Sequence, residues 1–164
     1  MRITVKKDRN ISQLTIDSWQ LTILTHWTMS NNAIKEKSFE FALRIVKMYK
    51  YLTEKKSEYV LSKQVLRSGT SVGANIREAE QAQSPADFIH KLNIALKEAN
   101  ETEYWIELLF QSEYIEEDHY KSIMADCGEI NKILISIIKT MKKKNTINWL
   151  RQINLNINIQ LIID

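Results

Sequence analysis

From about Ala33 to Glu54 the apolar positions recur at helical spacing. At about 100° per residue, Phe39, Ala42, Val46 and Tyr49 fall on one stripe and Phe41, Ile45, Met48 and Leu52 on the next. The combined arc is wider than one bundle seam requires, which implies either a second packed surface, such as an oligomer interface, or a deeply buried helix. A second helix is expected from about Ser57 to Gln83, with Leu61, Val65, Ser68, Val72, Ile76 and Ala79 on one face. Ser84, Pro85 and Asp87 then mark a boundary: an N-cap hydroxyl, a proline at the first helical position and an acid in the first turn. The third helix carries Phe88, Leu92, Ala95, Ala99, Thr102, Ile106 and Leu109 in steps of three and four, up to Ser112. A fourth opens with Glu116-Glu117-Asp118 and runs through Tyr120, Ile123, Cys127, Ile130, Leu134, Ile137 and Met141 to Lys142-Lys143-Lys144. Acid at its start and base at its end suit the helix dipole. Short connections between helices of similar length predict an all-α, antiparallel up-down-up-down four-helix bundle over residues 32–144.

The two ends follow a different period. Every odd position from Ile147 to Ile163 is apolar except Arg151, and Trp19, Leu21, Ile23, Thr25 and Trp27 alternate in the same way. Residues 1–31 and 145–164 are therefore read as extensions outside the bundle, with strands paired beside it as the competing reading. Met29-Ser30-Asn31-Asn32 would be a natural translation start for the bundle alone.

The middle of the second helix is unusual. Each of Gly69 and Gly73 costs a helix about 1 kcal/mol relative to alanine, so a helix here needs compensation from close packing. Their spacing, with Ser68 and Ala74 alongside, lets a neighbouring backbone approach. A phosphate-cradling loop fails on context: no Lys-Ser or Lys-Thr follows Gly73 and no strand precedes Gly69.

The run Arg67-Ser-Gly-Thr-Ser-Val-Gly-Ala-Asn-Ile-Arg-Glu-Ala79 is followed by Phe88-Ile89, Lys91-Leu92, Ala95, Lys97-Glu98-Ala99 and Glu101-Thr102-Glu103-Tyr104-Trp105. With these residues the chain resembles the bacterial four-helix-bundle proteins named after open reading frames in intervening sequences of 23S ribosomal RNA genes. The resemblance covers about Ile34 to Lys144. It implies a four-helix protomer that assembles into a barrel-shaped homopentamer, and a structural role for Arg67, Ser68, Gly69, Gly73, Asn75, Arg77, Glu78, Glu98 and Glu103. A related group, the accessory variability proteins of diversity-generating retroelements, binds a reverse transcriptase and nucleic acid. The resemblance thus brings RNA or DNA, a reverse transcriptase or another protein into view as partners.

Composition narrows the field further. Of 164 residues, 44% are apolar, and only three are Gly and one Pro, which disfavours turn-rich β folds and Gly-rich nucleotide binders. The single cysteine, Cys127, excludes an internal disulfide and a cysteine-based zinc site, and reads as a small core residue. No apolar stretch is long enough for a membrane span, and the basic N-terminus lacks a following apolar region, so a cytoplasmic protein is expected.

The net charge of +3 conceals a segregation. Ala33–Arg67 holds nine basic and four acidic residues, Glu78–Asp118 two basic and eleven acidic, and His119–Lys144 six basic and two acidic. One reading is complementary packing within a bundle or between protomers. The other is that oligomerisation gathers Arg44, Lys47, Lys50, Lys55 and Lys56 into a ring that meets phosphates. Arg44, Lys47 and Lys55 fall on the polar arc and should be solvated, while Lys50 lies nearer the apolar edge. In the second helix, Gln64, Arg67, Ser71, Asn75 and Glu78 form a polar stripe that is either exposed or part of a buried network. Glu98 and Glu103 sit at the margins of the third helix's apolar face, where an unpaired carboxylate is costly. Arg67 or Arg77 is expected to pair with one of them.

Catalytic chemistry finds little support. Glu116-x-x-His119 and Asp87-x-x-His90 have the form of a paired-metal bundle site, yet the starts of antiparallel helices of about 25 residues lie nearly 40 Å apart. His90 and His119 are therefore expected to be exposed, and no nucleophile and base share a plausible site. No catalytic residue, metal or cofactor is expected, and two functions remain: a nucleic-acid-binding or ribonucleoprotein accessory protein, and a protein-interaction scaffold.

Overall fold

The computed structural model describes residues 33–163, with side chains over 33–143. Four helices occupy it: α1 (33–55), α2 (Leu61–Ala79), α3 (Pro85–Gln111) and α4 (Glu117–Ile163). There is no strand among the described residues.

Helix α1 buries Ile34, Ser38, Phe41, Ile45 and Leu52 and leaves the adjoining stripe only partly covered. Phe39 is 50% exposed and Leu43, between the stripes, 47%. Deep burial therefore does not account for the wide apolar arc, which remains available to a second packed surface.

The expected start of α2 at Ser57 is four residues early. Ser57 adopts a left-handed φ of 54°, and the N–H groups of Lys56 and Glu58 both donate to the Leu52 carbonyl, which ends α1 and turns the chain. Glu58 then reaches forward. Its carboxylate accepts from the backbone N–H of Val60 and Leu61 at 2.9 and 2.8 Å and of Ser62 at 2.6 Å, satisfying the orphan donors at the head of α2. The boundary before α3 matches expectation: Ser84 is extended and its hydroxyl accepts from Asp87 N at 3.1 Å, while Asp87 accepts from Gln83 N at 3.1 Å.

Small residues set the α1–α2 packing. A Cβ on Gly69 would meet Ile45 Cγ1 at 2.7 Å, and one on Gly73 would meet the Ser38 carbonyl oxygen at 3.4 Å. The two glycines thus differ: Gly73 admits a neighbouring backbone, as expected, whereas Gly69 makes room for a β-branched side chain. On its other side α2 meets α3 through the buried hydroxyls of Ser68 and Thr102, 2.9 Å apart, and through Lys91 and Glu78 at 2.7 Å. Helices α3 and α4 meet where Cys127 Sγ donates to the Ala99 carbonyl and where Tyr120 donates to Glu107. Helix α4 returns to α1 through Arg44 with Asp126 and Lys37 with Glu129. In every pair the numbering rises along one helix as it falls along the other. The enclosed core is Ile45, Leu52, Val65, Val72, Ile76, Leu92, Ala99, Ile106, Ile123, Ile130 and Leu134, with their neighbours.

Helix α4 is the clearest departure. It does not stop at Lys144 but continues to Ile163, 47 residues against 27 in α3, so the alternation over Ile147–Ile163 is not realised as a strand. The alternation over Trp19–Trp27 lies outside the described residues, as do the side chains of the C-terminal segment.

Candidate nucleic-acid interface

The five bases expected to meet phosphate all lie on α1 or just beyond it, but they are not equivalent. Lys47, Lys50 and Lys55 are exposed, and none has a described carboxylate within ion-pair reach. Lys50, placed near the apolar edge by its spacing, is as open as the others because that edge is itself uncovered. Lys56 is half-buried, its Nζ 5.9 Å from the centroid of the Tyr51 ring.

Arg44 departs from expectation. Instead of standing free in solvent, its guanidinium pairs with Asp126 and donates to the Ser122 hydroxyl at 2.9 Å and the Ser122 carbonyl at 3.3 Å. The cause is a neighbour that periodicity on α1 alone does not register: Asp126 and Glu129, the two acids of an otherwise basic stretch of α4, face α1. Glu129 takes Lys37 at 2.8 Å, and its hydrogen bond is the main cause that raises the Lys37 ammonium above its ordinary value. Between these pairs lies an open groove of about 280 Å³ with Phe41, Leu43 and Ile130 in its wall and Lys47 at its rim.

The motif residues of α2 divide between packing and surface. Ser68 and Gly69 are buried, Gly73 is half-buried and Asn75 donates to its own helix at Ser71 O, 2.9 Å away. Arg67, Arg77 and Glu78 are exposed; within the polar stripe Gln64, Ser71 and Asn75 are half-buried, so it is neither fully solvated nor a buried network. The expected pairing of Arg67 or Arg77 with Glu98 or Glu103 is not formed. Arg77 lies 5.2 Å over the Phe39 ring of α1, and Glu78 takes Lys91. Glu103 lies on the side of α3 that faces α4, where it accepts from Asn131 Nδ2 at 2.9 Å. Glu98 is half-buried and Arg67 makes no ion pair among the described residues.

The acids of α3 are satisfied mainly by neutral donors. Trp105 Nε1 donates to Glu101 at 3.2 Å, Asn131 to Glu103, and Tyr120 and Gln111 to Glu107. Those last two bonds, Tyr120 first, hold the Glu107 carboxyl below its usual range. Complementary charge packing within the bundle is therefore confined to a few pairs at the margins, and α3 keeps its negative charge. The Asn131 amide was missed by sequence reading; it also donates to Asn100 Oδ1 at 3.2 Å, and its own buried Oδ1 has no partner among the described residues.

Cys127 is not poised as a nucleophile. Burial pushes the Cys127 thiol far up, with Glu103 adding to the effect, so the thiolate does not form near neutral pH. His90 and His119 are exposed, and among the described residues no three His, Cys, Asp or Glu side chains converge as ligands. No described helix is long and apolar enough to cross a membrane. What remains is an α1–α2 side on which Lys47, Lys50, Lys55, Lys63 and Arg67 stand exposed alongside Glu36, Glu40 and Glu54, set against a negative α3.

The family model described as 23S rRNA-intervening sequence protein matches residues 30–136. A crystal structure of a protein with unknown function from the S23 ribosomal protein family of Bacteroides thetaiotaomicron VPI-5482 is 68% identical, with a TM-score of 0.67; the match covers 67% of this chain and 98% of that one. No curated protein matches the chain.

Proposed function

Because the chain belongs to the 23S rRNA-intervening sequence protein family, we propose that it is a non-catalytic, cytoplasmic nucleic-acid-binding or ribonucleoprotein accessory protein. The observation that carries this reading is that Lys47, Lys50 and Lys55 of α1 are exposed and make no ion pair among the described residues, with Lys56 just beyond them. Such lysines bind phosphate by releasing condensed counterions, which needs no catalytic group. The charge retained on α3 favours the approach of a polyanion to the α1 and α2 side. Arg44, held by Asp126, contributes structure more than binding.

The protomer is read as an antiparallel up-down-up-down bundle, supported by the opposed numbering of every helix pair. Five copies closing into a barrel would cover part of the exposed Phe39 and Leu43 surface and multiply the lysine face. Mass measurement in solution tests the assembly, and a stable monomer would overturn it.

A salt titration tests the function. Affinity for structured RNA or duplex DNA should fall steeply as salt rises, with a slope of about −0.9 per phosphate neutralised on duplex DNA. Absence of binding at low salt would leave the second reading, a homo-oligomeric scaffold for a protein partner such as a reverse transcriptase. Exposed Phe39 and Leu43 are the observation that favours that alternative.

A further inference from the structure

The turn between α1 and α2 presents a combination that phosphate binding alone does not use. Tyr59 is 54% exposed and Val60 71%, and Tyr51, one turn before the end of α1, is 39% exposed. Apolar groups this open are common singly, but here two aromatic rings bracket a basic turn. Lys50, Lys55 and Lys63 are exposed around them and Lys56 lies over Tyr51. Of the two acids in this stretch, Glu58 is 7% exposed and spends its carboxylate on three backbone N–H groups. Glu54 alone is left on the surface.

Glu58 also makes the turn stiff. With the Leu52 carbonyl holding two N–H groups behind it and the Glu58 carboxylate holding three ahead, Tyr59 is fixed between two clamps. With the backbone on both sides of it held, only the torsions of the Tyr59 side chain itself remain to be ordered on contact, which favours a platform.

We propose that this turn is a stacking platform for unpaired nucleobases, in which Tyr59 and Tyr51 take bases and Lys50, Lys55, Lys56 and Lys63 take the phosphates between them. The occupant is single-stranded nucleic acid. Paired bases in a duplex do not offer their faces to a ring, whereas every unpaired base does, and lysines beside aromatics are the usual composition of such sites. The acids of the α3–α4 turn, Glu113 and Glu116, repel phosphate, so the strand runs from the platform along Lys63 and Arg67 of α2. This proposal rests on the phosphate-binding reading above and adds to it the class of nucleic acid.

The test uses the full chain and fluorescence anisotropy with three probes of about 12 units, a length within the usual single-strand site range: oligouridylate, oligothymidylate and a duplex. Single strands should bind more tightly than the duplex, and the ratio of the first two probes distinguishes RNA from DNA. Tyr59→Ala should weaken single-strand binding roughly 5- to 150-fold, the range of base–aromatic stacking, and leave duplex binding and the salt slope unchanged. Tyr59→Trp should restore it. Equal single-strand affinity for Tyr59→Ala and wild type, while Lys55→Ala weakens both probe types, would overturn the platform and leave phosphate binding standing. Loss of all binding in the wild type at low salt would overturn both. A change in solution mass for Tyr59→Ala would place Tyr59 in a subunit contact and also overturn the platform.

Discussion

The chain's three glycines all lie in helices, and a Gly→Ala series tests the packing argument because the same substitution meets three different surroundings. At Gly128 nothing lies within 4 Å of an added Cβ, so only helix propensity changes and Gly128→Ala should stabilise by about 1 kcal/mol. At Gly73 the contact is an ordinary 3.4 Å to the Ser38 carbonyl oxygen, and the gain should be similar or slightly smaller. Gly69 is different. Three Ile45 atoms, Cγ1, Cγ2 and Cδ1, stand at 2.7, 3.0 and 3.1 Å, so no single torsion clears them all. Overpacking of this kind costs about 1–3 kcal/mol against a propensity gain of about 1, leaving Gly69→Ala destabilised by about 0–2 kcal/mol. Urea unfolding at fixed protein concentration reads the differences without interference from association. A double-mutant cycle supplies the decisive number. Ile45→Ala removes all three atoms and costs about 2–5 kcal/mol in the wild type, but should cost about 1–3 kcal/mol less beside Gly69→Ala. Stabilisation of Gly69→Ala equal to that of Gly128→Ala, or additivity in the cycle, would refute the idea that Gly69 exists to seat Ile45.

Other expectations are more direct. Burial would raise the Glu58 carboxyl, but the N–H donors of Leu61, Ser62 and Val60 outweigh it and hold the folded value below the ordinary one. Its contribution to stability is therefore complete above the unfolded carboxyl's range, at about 4.3, and is lost as pH falls through the folded value. Glu58→Gln should cost about 1–3 kcal/mol at neutral pH and flatten the acid limb of stability against pH; an unchanged limb would contradict the clamp. Arg44→Ala should lower stability by no more than about 1 kcal/mol and leave the salt slope of nucleic-acid binding intact, whereas Lys47→Ala should reduce that slope by about 1. The reverse order would mean that Asp126 does not hold Arg44. Cys127 should resist thiol reagents in the native state and react on unfolding, checked by mass spectrometry across a urea series; rapid native labelling would contradict its buried hydrogen bond to Ala99.

Much of the helical core was legible because it depends on one period. Val65, Val72 and Ile76, or Leu92, Ala99 and Ile106, recur at three- and four-residue steps, and burial follows. The Ser84–Pro85–Asp87 boundary was legible because all its partners are local. Errors arose where a distant or competing partner decides. The head of α2 shifted from Ser57 to Leu61 because the Glu58 side chain takes over N–H groups that another helical turn would have used. Arg44 was misplaced because its fate is set by Asp126 on α4, 82 residues away. The alternation from Ile147 to Ile163 has a strand period and was read as an extension outside the bundle, but no Gly or Pro follows Gly128 to stop α4. Extending an existing helix needs no new nucleus, so continuation prevails over local period. The candidate interface was legible in residue type more than in arrangement: four lysines were placed where they can serve, while the two tyrosines beside them gave no signal in helical periodicity.

The neutral partners of Glu101, Glu103 and Glu107 have one more consequence. An indole, an amide or a phenol brings no positive charge to a carboxylate, so the bundle is electrically two-sided, with more unpaired base than acid on α1 and α2 together and uncompensated acid along α3. A total of +3 then says little about how the protein meets a charged surface. In dilute buffer at neutral pH it should adhere to both cation- and anion-exchange resins, turning a different side to each, and elute from both at modest salt.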